Sequence, residues 1–82
     1  MKAMIEEMME RIEGRRGGED TTLWFALQTE DYEEWDDGSS DLEEAVKRMI
    51  DNEEYVKLVV IEESSNSVCI DEFDREEIED MM

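Results

Sequence analysis

Eighty-two residues without a proline make one small domain, and 27 acidic against eight basic side chains give it a formal charge of −19. There is no histidine, one cysteine, and 39% hydrophobic residues. A chain this short buries only ~60% of its unfolded surface, and no apolar run approaches the ~18 residues of a membrane span. The lone cysteine has no internal partner, which fits a reducing cytoplasm, and no secretory leader pattern is visible.

The charge excludes direct nucleic-acid binding, which needs Lys and Arg to displace counterions from phosphates. Lys2, Arg11, Arg15 and Arg16 balance Glu6, Glu7, Glu10 and Glu13, so the 23 acids and four bases of residues 19–82 carry the net charge. A surface of this kind draws basic partners. Disorder, the usual consequence of such a composition, is opposed by regular apolar spacing between turn residues.

Met1, Met4, Ile5, Met8, Met9 and Ile12 recur at three- and four-residue intervals and predict an amphipathic helix over 1–16, with Glu7 and Arg11 four residues apart as a pair. Its methionines form either core or an adaptable partner face. Gly14 and Gly17-Gly18 end the helix and make a flexible joint to an acidic body over 19–82. Thr21 to Thr29 alternates as a strand, Leu23, Phe25 and Leu27 on one face and Trp24 and Ala26 on the other, where the first helix is expected to cover them. Glu30 to Asp37 is an acidic connection and Gly38 a turn.

Ser40 and Glu43 form a capping box for a second helix whose stripe is Leu42, Ala45, Val46, Met49 and Ile50, with Asn52 as a left-handed stop. Tyr55 to Glu62 is a strand, with Val56, Leu58 and Val60 opposite Tyr55, Val59 and Ile61. Residues 64–66 turn into a short strand at Val68–Ile70, where Cys69 reads as buried filler. Asp74 caps a last helix, and Phe73 and Ile78 staple it. The expected fold is α+β: order α-β-α-β-β-α, with a three-stranded mixed sheet (β-α-β-β), the strand–helix–strand unit parallel and helices flanking it.

Chemistry is sparse. Without histidine there is no imidazole base or Ser–His pairing, so no enzyme and no catalytic residue is expected. Aligning Gly38 with the central glycine of a calcium loop puts Trp35 at a ligand position, where an indole offers no oxygen; no metal and no cofactor is expected. What remains is nine acids and no base between Glu30 and Glu44, and nine acids against Arg75 alone between Glu62 and Asp80. Like charges this dense oppose folding, so their retention points to a use: contact with a basic protein surface, with carboxylates in place of phosphates. The residues expected to make it are Glu30, Asp31, Glu33, Glu34, Trp35, Asp36, Asp37, Asp41, Glu43, Glu44, Asp71, Glu72 and Asp74.

In size, acidity, mixed helix–strand order and absence of any catalytic residue, the chain resembles the small DNA-mimicking inhibitors of phages and mobile elements, anti-CRISPR proteins among them, and the run from Thr29 through Glu-Asp-Tyr-Glu-Glu-Trp-Asp-Asp-Gly to Val46 resembles one found in short phage-type reading frames. The resemblance implies a stoichiometric inhibitor covering the DNA-binding or PAM-reading groove of a CRISPR effector or other nucleic-acid enzyme in a bacterial cytoplasm. The alternatives are an acidic interaction or regulatory module, monomer or homodimer through the methionine helix, and adaptation to high salt.

Overall fold

The computed structural model describes residues 2–17, 21–30, 37–63 and 67–82. It is α+β: α1 (Lys2–Arg15), β1 (Thr22–Thr29), β2 (Asp37–Ser39), α2 (Leu42–Asp51), β3 (Tyr55–Glu63), β4 (Ser67–Asp74) and α3 (Arg75–Met81). The sheet has four strands in the order β2-β1-β3-β4, and every neighbouring pair is antiparallel. The mixed three-stranded sheet expected from the sequence is therefore corrected.

The cause is β2, whose Asp-Gly-Ser carries no strand propensity and reads as a turn. It folds back on β1, pairing Leu27 with Asp37 and Phe25 with Ser39. The helical crossover through α2 thus joins β2 to β3, which run the same way with β1 between them. Gly38 sits within β2 opposite Ala26, and the Trp24 indole lies across it: a Cβ there would stand 2.5 Å from Nε1. Close approach, rather than a turn, is what requires glycine at this position.

One face of the sheet carries the helices. Phe25, Leu27, Leu58, Val60 and Phe73 pack with Met4, Met8 and Ile12 of α1, Leu42, Ala45, Val46 and Met49 of α2, and Ile78 of α3. Helix α1 therefore lies on the Phe25 side and not over Trp24, which stays 37% exposed on the other face beside the small cluster Ala26, Val59 and Ile61. Of the two readings of the methionine stripe, core is the one observed for Met4 and Met8. Burying Met4, Met8 and Ile12 stabilises the docking of α1 by about 2 kcal/mol per side chain as an upper bound.

Two bulges account for further departures. A register shift between Gln28 and Thr29 leaves Val56 unpaired and turns Tyr55 into the main core, away from Val59 and Ile61. A second, opposite Val60 and Ile61, makes Ile70 the extra residue of β4. β4 is longer than the Val68–Ile70 segment expected and buries Asp71 and Phe73.

The caps differ in detail. Asp41, not Ser40, is the N-cap of α2, accepting from the Glu43 N–H at 3.0 Å, while Ser39 Oγ accepts from Asp41 N–H. Asn52 is extended rather than left-handed, and both its backbone and its side-chain N–H groups close the helix on the Arg48 carbonyl. Asp74 occupies the N-cap of α3 without a side-chain capping bond, and Phe73 and Ile78 are both fully buried beside it. Arg16 donates to the Thr21 side chain and carbonyl, and Glu62 accepts from Gly17 N–H and Thr21 Oγ1.

Candidate partner-binding surface

Where the basic side chains go decides which carboxylates remain free. Arg11 leaves its own helix and does not pair with Glu7: its Nη1 donates to Glu77 at 2.7 Å and its Nη2 to Asp71 at 2.9 Å, and its guanidinium stacks 4.5 Å from the Phe73 ring centre. The hydrogen bond to Glu77 first, and that to Asp71 with it, raises the Arg11 pKa against partial desolvation. Arg15 adds a second cation 3.7 Å from Asp71. Arg16 pairs with Glu13, Lys47 with Glu43, Arg48 with Glu44, Lys57 with Glu72 and Asp74, and Arg75 with Glu79. Seven of the eight bases are thus engaged within the chain, Lys2 being the other.

Strand register then gathers five of the acids that have no ion pair among the described residues; Glu6, Glu7 and Glu10 on α1, Glu63 and Asp80 are likewise exposed but lie outside that group. β1 ends at Thr29 opposite Tyr55, where β3 begins, and Lys57 faces Asp74, where β4 ends. Glu30, the turn from Asp51 to Glu54 and the start of α3 consequently meet at one end of the sheet. Glu30, Asp51, Glu53, Glu54 and Glu76 are all exposed there. Arg75 fastens this end: its Nε donates to the Tyr55 carbonyl at 2.7 Å, and its Nη2 to the carbonyls of Met49 and Asn52. With its donors directed at backbone oxygens, Arg75 holds the acidic turn in place.

The residues expected from the sequence fall into separate groups. Glu30 and Asp74 lie at this acidic end, with Glu72 beside them on β4. Asp41, Glu43 and Glu44 begin α2 and lie at the other end, because β2 runs back along β1 before the helix starts. There Glu44 is held by Arg48 at 2.6 Å and by the Ser39 hydroxyl. Asp71 is 4% exposed and takes part in the α1 network instead of the outer surface. Asp37 contributes its backbone to β2, and Asp31, Glu33, Glu34, Trp35 and Asp36 lie outside the described residues.

Nothing in the sequence distinguishes Asp51, Glu53, Glu54 and Glu76 from the other acids. The available signal was Arg75, the lone base in a long acidic stretch, whose partners only the fold reveals. Cys69 is exposed on the outer face rather than buried. Its thiol is pushed above the ordinary value by desolvation and by Glu72, which disfavours the reactive thiolate. Among the described residues no group of three or more metal-ligating side chains is placed to hold an ion, and no helix is long and apolar enough to cross a membrane. No protein family, curated protein or solved structure matches the chain.

Proposed function

We propose that the protein is a non-enzymatic inhibitor that occupies the basic groove of a nucleic-acid enzyme, a CRISPR effector being the class its resemblance favours, with carboxylates in place of phosphates. The observation that carries this reading is the gathering of Glu30, Asp51, Glu53, Glu54 and Glu76 at one end of the sheet, where these five form no ion pair among the described residues and the nearby cations Arg75 and Lys57 are bound to backbone carbonyls and to other acids. Such an array attracts a cationic cleft over about a Debye length, ~8–10 Å at physiological salt, and repels nucleic acid itself. A homodimer through the methionine helix has less to build on, since Met4 and Met8 are buried within their own chain.

Two charge-matched variants test it against the enzyme recovered with the protein from host lysate. Asp51→Asn, Glu53→Gln, Glu54→Gln and Glu76→Gln together are expected to weaken binding roughly 100-fold, at about 0.5–1 kcal/mol per contact. Glu6→Gln, Glu7→Gln, Glu10→Gln and Glu63→Gln remove the same charge away from that end and are expected to weaken it less than tenfold. Equal losses would mean that net charge alone drives association.

A further inference from the structure

The helical layer leaves a cleft of about 450 Å³ between α1, β1 and the start of α2. Leu23 and Phe25 floor it, Ile5 and Met9 form one wall, and Leu42 the other. Ile5, Met9 and Leu23 are half-buried, packed against the core yet reachable from solvent. Successive residues on a helix are turned by ~100°, so α1 presents three stripes in order. Met4, Met8 and Ile12 face the core; Ile5 and Met9 line the cleft; Glu6 and Glu10 follow on the exposed side of the helix, outside its lining. Glu13 and Asp41 form an acidic rim, and the one base lining the cleft, Arg16, is held by Glu13 and Thr21.

An occupant must therefore bring an apolar side chain for the floor and positive charge for the rim. A second copy of a chain at −19 brings the wrong sign, as do nucleic acid and anionic lipid. We infer that the cleft is a docking site for a basic amphipathic segment of a partner protein, which inserts an apolar side chain between α1 and α2 and sets Lys or Arg against Asp41 and Glu13 at its rim. Met9, with its flexible thioether, adapts the wall to the inserted chain. The cleft opens where β1 begins, away from the acidic end, so this inference stands or falls separately from the proposed inhibition.

The test uses two synthetic hexapeptides of equal charge, Lys-Lys-Leu-Leu-Lys-Lys and Lys-Lys-Ser-Ser-Lys-Lys, titrated into the full chain while the methyl resonances of Ile5, Met9 and Leu23 are followed. The leucine peptide is expected to bind roughly tenfold or more tightly, from the burial of one aliphatic side chain, and to shift all three sets of methyls. Met9→Ser, and independently Leu23→Thr, should bring its affinity down to that of the serine peptide with the latter unchanged. Equal affinity of the two peptides, a preference that survives both substitutions, or self-association of the chain at the cleft would overturn the inference.

Discussion

Arg11→Met is expected to lower folding stability by about 3 kcal/mol, the low end for removing one partner of a buried ion pair. Asp71 is the reason. Its side chain is 1% exposed, and its Oδ1 accepts from Arg11 at 2.9 Å and from the Glu72 N–H. Without Arg11 that carboxylate keeps the Glu72 N–H but, as a cation, only Arg15, at 3.7 Å, and Glu77 loses its partner as well. For a domain of this size the loss corresponds to a fall in melting temperature of roughly 12 °C or more. The double variant Arg11→Met with Asp71→Leu should recover most of it, because an apolar pair of similar volume leaves no buried charge. Thermal unfolding of both variants checks this; a drop under about 1 kcal/mol in the single variant would assign the role to Arg15.

Arg75→Ala separates charge from geometry at the acidic end. The substitution makes the protein one unit more negative, so electrostatics alone predicts tighter binding to a cationic groove. It also removes three hydrogen bonds to the carbonyls of Met49, Asn52 and Tyr55, which hold the turn carrying Asp51, Glu53 and Glu54. Bonds of this charge-assisted kind contribute about 1.5–3 kcal/mol each when buried and less where water replaces them, so a total loss of about 2–3 kcal/mol is expected. Affinity for the recovered enzyme should fall despite the added negative charge, and amide exchange in residues 51–54 should accelerate. Tighter binding with unchanged exchange would show that the array needs no fastening.

The parts of the fold legible in the sequence are those in which one strong period acts alone. The stripe of Leu42, Ala45, Val46 and Met49 and the alternation of Leu58 and Val60 behave as their spacing requires. The sheet topology was not legible, because it turns on Asp37-Gly38-Ser39. These residues pair only because β1 is beside them and because glycine admits the Trp24 ring. Tyr55 lies on the face opposite to the one its period of two predicts, because a bulge breaks that period without leaving a mark in composition.

For the candidate surface, the acidic runs were visible as runs, but contact order in space was not. Antiparallel pairing brings Glu30 to the turn at Asp51–Glu54 and sends Glu43 and Glu44 to the other end. Asp71 looks like any other acid until Arg11, sixty residues away in the chain, is seen to cover it. Local spacing cannot reveal a pairing of that separation.

The most direct measurement is competition. The nucleic-acid enzyme recovered with this protein is loaded with its labelled DNA or RNA and titrated with the full chain at low and at raised salt. The account predicts stoichiometric release of the nucleic acid at low salt, with the inhibitory affinity falling steeply as salt is added. A ternary complex in which enzyme, nucleic acid and this protein persist together, or an affinity indifferent to salt, would contradict it.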